Sequence, residues 1–131
     1  MITEDYVSFE IAKLLKEKGF NEKCDNCYAY FADDDIRCLN LGYPKSAQSL
    51  IKDRYPYVTL QMAMKWLREV QNLFVFPFPQ MNTNKFWTEI YQLSDNQEWE
   101  NLYCESIDLQ DYPTYEDACE AAVKYCLKNL I

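Results

Sequence analysis

With 131 residues, about half of them apolar and 16% aromatic, the chain is long enough to bury a real core and is not a disordered polymer. Its formal charge of −8 argues against a general nucleic-acid binder, whose phosphate contacts need clustered Lys and Arg. The opening Met-Ile-Thr-Glu-Asp-Tyr has neither a basic n-region nor an apolar h-region, and no apolar run reaches the roughly 20 residues of a membrane span. The expected location is therefore the cytoplasm, with the cysteines as reduced thiols and no membrane partner.

In chain order, the first helix is expected over Phe9–Lys18. Ser8 stands where an N-cap belongs, and Val7 where a hydrophobic staple to Ala12 would start. Ile11, Leu14 and Leu15 share one face, with Glu10, Lys13, Lys16 and Glu17 on the other. Gly19 is placed to end the helix in a left-handed conformation, with Phe20 folding back on the last turn. After a polar turn, Tyr28–Phe31 and Ile36–Leu39 read as a hairpin around Asp33-Asp34-Asp35. The span 40–58, punctuated by Gly42, Pro44 and Pro56, reads mostly as loop, with a short helix conceivable over Ser46–Arg54.

The stretch Thr59–Val70 is the clearest amphipathic helix. Leu60, Ala63, Met64, Trp66, Leu67 and Val70 fall in one sector, with Gln61, Lys65, Arg68 and Glu69 opposite and Thr59 as N-cap. Leu73–Phe78 follows as a strand, with Pro77 and Pro79 marking its end or an edge position. Lys85–Leu93 alternates with apolar side chains on both faces, and Trp99–Leu109 contains a further strand. The last helix follows Pro113. Thr114 caps it, Asp117 takes the third helical position, and Ala118, Cys119, Ala122, Tyr125, Cys126 and Leu130 line one side. The expected architecture is a single α+β domain, 1–131: an antiparallel sheet of about four or five strands with three helices packed mainly on one face.

Three stretches carry a resemblance: Tyr6–Phe20 (YVSFEIAKLLKEKGF), Thr59–Glu69 (TLQMAMKWLRE) and Thr114–Ala122 (TYEDACEAA). Together the chain resembles a group of small uncharacterised proteins from Bacteroides-type gut bacteria and their phages and mobile elements. The resemblance covers the three helices, while the strands between them match only loosely. It implies a small stand-alone protein of a bacterial or phage-infected cytoplasm. It implies no activity, cofactor or catalytic residue, and the matched positions are mainly caps and core.

Chemistry has little material. Cys24 and Cys27 form a C-x-x-C, but a tetrahedral zinc site needs a second pair. The chain has no His, and only a fold bringing Cys38 and Cys104 to the same point completes four sulfurs. Asp33-Asp34-Asp35 fails as an EF-hand, since the sixth position is Cys38 and the twelfth Pro44. Without His, the Ser-His and Cys-His pairs of common hydrolases are excluded. Glu89, Glu98, Glu100, Glu105 and Asp108 are plentiful, yet nothing in the sequence sets two at a working separation. No phosphate-binding glycine loop exists. Neither a metal nor a cofactor is expected.

The unusual feature is the aromatic set of eleven Tyr, seven Phe and three Trp. Tyr43, Tyr55 and Tyr57, with Arg54 among them, are the candidate partner-binding residues, because Tyr and Arg are enriched in binding hot spots. The expectation is a non-enzymatic cytoplasmic protein acting through protein–protein contact, phage or mobile-element encoded, with no direct nucleic-acid binding. The alternative is a small-molecule binder or enzyme using a Tyr- and carboxylate-lined cleft. A deep polar pocket would favour the second, an exposed aromatic patch the first.

Overall fold

The computed structural model describes residues 1–39, 50–102 and 111–131. Over these the chain forms two compact units, one of Tyr6–Thr59 and one made of Met1–Asp5 together with Leu60–Ile131. The elements are α1 (Phe9–Glu17), β1 (Cys27–Phe31), β2 (Ile36–Leu39), β3 (Ile51–Pro56), α2 (Leu60–Gln71), β4 (Leu73–Pro79), β5 (Phe86–Leu93), β6 (Trp99–Asn101) and α3 (Tyr115–Tyr125). The class is α+β with antiparallel pairing, as expected. The strands, however, make two three-stranded sheets, ordered β2-β1-β3 and β4-β5-β6, where one sheet of four or five was anticipated.

In the N-terminal unit the helix signals act as read. The Ser8 hydroxyl accepts from the Ile11 N–H at 3.3 Å, and Ile11, Ala12 and Leu15 are buried. At the other end Gly19 has φ +95°, and the Phe20 N–H returns to the Leu15 carbonyl at 2.9 Å, leaving Phe20 buried. The β1–β2 hairpin turns through Asp34 at φ 63°. Its acid tip is held by ion pairs from Arg37 to Asp33 and Asp35, and from Lys52 to Asp34. On one side of this sheet Ala29, Phe31 and Leu39 are buried, with Cys27 and Ile51 against them.

The reading of 40–58 as loop, with a helix over Ser46–Arg54, is corrected for residues 51–56; residues 40–49 lie outside the described ones. β3 is a full edge strand paired to β1, with Tyr28 opposite Tyr55 and Tyr30 opposite Asp53. Its alternation was hidden because an edge strand needs no apolar period. Lys52 and Arg54 are exposed, and Asp53 meets Lys16 of α1. Pro56 closes the strand at an edge, where its missing N–H costs nothing.

In the C-terminal unit α2 buries Leu60, Ala63, Met64, Trp66 and Leu67. Val70, in the apolar sector by periodicity, is 54% exposed because it lies in the last turn. Asn72, at φ 56°, turns the chain from α2 straight into β4. β4 pairs with β5 so that Val75 faces Ile90 and Pro77 faces Thr88, and β5 pairs with β6 so that Leu93 faces Trp99. Pro77 is tolerated because β4 is an edge strand.

α2 and α3 pack on β4, and α3 also on β5, burying Leu73, Val75, Thr88 and Ile90. The Thr114 hydroxyl caps α3 by accepting from the Asp117 N–H at 3.0 Å. The small residues of α3 allow close approach, and the wholly buried Thr88 hydroxyl donates to the Ala118 carbonyl at 3.2 Å. Beyond Tyr125 the helix widens into a π-turn over Cys126–Leu130.

Candidate contact surface

The face of β4-β5-β6 opposite these helices follows from register. Side chains directly opposite in an antiparallel pair share a face, and successive residues alternate. Phe74 stands opposite Tyr91, Phe76 opposite Glu89, and Phe78 opposite Trp87, while Trp99 stands opposite Leu93. One side of the sheet therefore gathers Phe74, Phe76, Phe78, Trp87, Tyr91 and Trp99.

The rings touch one another. Phe74 meets Trp99 edge-on at 4.8 Å between centroids, Phe76 meets Tyr91 at 5.7 Å, and Phe78 meets Trp87 at 5.5 Å. These separations lie within the range for favourable aromatic pairs. Even so, Phe76 is 41% exposed, Phe78 39% and Trp99 55%. Large rings left this open on one sheet face form an aromatic platform. A single exposed ring would mean little.

The charge on this platform has one sign. β4, β5 and β6 contain no Lys or Arg, and Glu89 sits among the rings. The Tyr91 hydroxyl donates to Glu89 Oε2 at 2.8 Å, and that bond to a carboxylate raises the phenol above its ordinary pKa. Asp95 and Glu98, both exposed, lie in the turn between β5 and β6. Lys85 lies at the start of β5, outside the strand.

The residues singled out from sequence sit elsewhere. Tyr43 lies outside the described residues. Tyr55 is on β3 and Tyr57 just beyond it, and both are half-buried. Tyr57 stacks on Tyr6 at 4.4 Å and meets Tyr28 edge-on at 4.9 Å. Tyr55 meets Phe9 of α1 at 5.1 Å, and the Lys16 ammonium lies 4.8 Å from its ring centroid. Both phenols are pushed up, first by burial and then by Asp53 beside Tyr55 and Cys38 beside Tyr57. Arg54 is exposed, and its backbone carbonyl accepts from Lys16 at 2.8 Å. These rings join α1 to its sheet.

Among the described residues no group of three or more His, Cys, Asp or Glu is placed to hold a metal ion. Burial raises the thiols of Cys24, Cys27 and Cys38, which keeps them protonated; Cys104 lies outside the described residues. Glu105 and Asp108 also lie outside them. A hollow of about 210 Å³ opens between Asn26, Cys38, Leu39 and Tyr57, with no carboxylate in its lining. It is smaller than the roughly 300–1,000 Å³ of ordinary ligand pockets.

The sequence did carry a signal for the platform: Phe74, Phe76 and Phe78 recur at period two, and β5 is apolar on both faces. Only strand register could unite them with Trp99. No protein-family model matches the chain, and comparison with curated proteins and with solved structures gave no match.

Proposed function

We propose that this protein works by contact, with the aromatic face of β4-β5-β6 as the surface on which a protein partner docks, and that it carries out no reaction of its own. The observation behind the reading is the exposure of Phe76, Phe78 and Trp99 on one face of a sheet whose other face is covered by α2 and α3. Aromatic side chains dominate interface energetics, since they give large contact area with little conformational freedom to lose. Tyr55 and Tyr57 take a structural part in this reading. A bacterial or phage-infected cytoplasm is the setting that the resemblance in the helices supports. Among the described residues no helix is long and apolar enough to cross a membrane.

The experiment is site-specific photo-crosslinking in native host lysate, with a photoreactive phenylalanine analogue at Phe78 or, as control, at the exposed Gln61 of α2. The reading expects a discrete protein adduct from position 78 and none from 61. Equal adducts from both positions, or none from 78, would remove the platform as the docking surface.

A further inference from the structure

Resting on the contact reading above, we infer that the partner seated on the β4-β5-β6 face is cationic there, presenting Arg or Lys side chains between apolar ones. The argument is charge complementarity. On this face the three strands supply aromatic rings and the carboxylate of Glu89, with no Lys or Arg in any of them. The rings offer negative π-faces to a guanidinium or ammonium, and Glu89 stands among them as a countercharge held in place by the Tyr91 hydroxyl. Asp95 and Glu98 extend the same sign along the β5–β6 turn, within a chain of net charge −8. An incoming basic partner is attracted at long range and paired on arrival.

The same charges weigh against the other occupants. A second copy docked face to face would set Glu89 into a dry interface between two chains of −8 each, with no Lys or Arg from these strands to pair it. Single-stranded nucleic acid stacks on aromatic sheets, but those sheets track the phosphates with basic grooves. Here the strands carry the opposite sign.

The test uses the full chain and three soluble peptides that alternate Val with Arg, Gln or Glu, with binding followed by tryptophan fluorescence and calorimetry. The Arg peptide should bind, more weakly as salt rises, and the Gln and Glu peptides should not. Phe76→Ser/Trp99→Ser should weaken it by roughly tenfold or more. The isosteric Glu89→Gln should weaken it about threefold, while Glu22→Gln, the same charge change in the other unit, should leave it unchanged.

Several results would overturn the inference. One is no binding of the Arg peptide; another is equal binding of the Arg and Gln peptides, which leaves the contact reading intact. An equal effect of Glu89→Gln and Glu22→Gln would reduce the attraction to net charge. A dimer in sedimentation that Phe76→Ser/Trp99→Ser dissolves would name a second copy as occupant instead. Undiminished binding by that double variant would strike at the contact reading itself.

Discussion

Replacing Trp66 by Ala tests how α2 is seated. Trp66 is 5% exposed, on the side of α2 that also buries Leu60, Ala63, Met64 and Leu67. Covering an indole removes roughly 150–250 Å² from water, about 4–6 kcal/mol as an upper bound. Aromatic truncations in cores cost about 3–5 kcal/mol, a large share of the ~5–15 kcal/mol that holds a domain together.

Two neighbours calibrate the measurement. Lys65→Ala loses an exposed pair to Glu69 at 3.9 Å, worth at most a few tenths of a kcal/mol after solvent screening, and gains helix propensity. Val70→Ala should change stability by about 0.5 kcal/mol or less, because Val70 is 54% exposed and Ala suits a helix better. Guanidinium melts should be followed by both far-UV dichroism and tryptophan fluorescence. All three tryptophans lie in the C-terminal unit, so fluorescence follows that unit alone. If Val70→Ala costs more than about 1.5 kcal/mol, or Lys65→Ala proves worse than Trp66→Ala, the seating of α2 is wrong.

Gly19→Ala should cost about 1 kcal/mol through its φ of +95° alone, since nothing lies within 4 Å of the added carbon, and denaturant melts will read it. Thr114→Ala should cost α3 about 1 kcal/mol and Thr114→Ser much less, again by melts. The carboxyls of Asp34, Asp35 and Asp53 are held below their ordinary pKa, by the Tyr30 hydroxyl and Lys52, by Arg37, and by Lys16 respectively. Folded values below unfolded ones mean stability that is present above about pH 4 and lost as pH falls through the folded values. Between about pH 5 and 3, the dichroism midpoint of the parent should therefore fall further than that of Asp34→Asn/Asp35→Asn; equal falls would contradict this. Burial pushes Cys119 to about 11 and Cys126 to about 12, so a thiol reagent near neutral pH should modify both only after denaturation, and exposed Cys38 without it.

What could be read from sequence was whatever depends on near neighbours in the chain. Ser8, Gly19 and Thr114 act within one helical turn, and the Asp33-Asp34-Asp35 tip within one hairpin, so local chemistry specifies each. β3 escaped because Lys52 and Asp53 satisfy an edge strand through ion pairs to distant Asp34 and Lys16, which no apolar period announces. Val70 escaped because periodicity places a side chain on a face but cannot say where the covering surface stops. The division of the strands between two sheets is a matter of pairing, which residue types along one strand do not encode.

The contact surface shows the same limit. Its rings come from three strands, and each strand alone suggests only an apolar face. Tyr55 and Tyr57 drew attention through residue type. In the structure they pack against Phe9, Tyr6, Tyr28 and Lys16, from α1, β1 and the approach to α1.

The central claim is that the β4-β5-β6 platform, and not the Tyr55–Tyr57 cluster, carries the contact. Affinity for the partner crosslinked from position 78 is to be measured for the parent, for Phe76→Ser/Trp99→Ser and for Tyr55→Phe/Tyr57→Phe, each checked for folding by far-UV dichroism. The account predicts binding weakened at least tenfold in the first variant and parental affinity in the second. Parental affinity in the first variant, with its fold intact, would contradict the account.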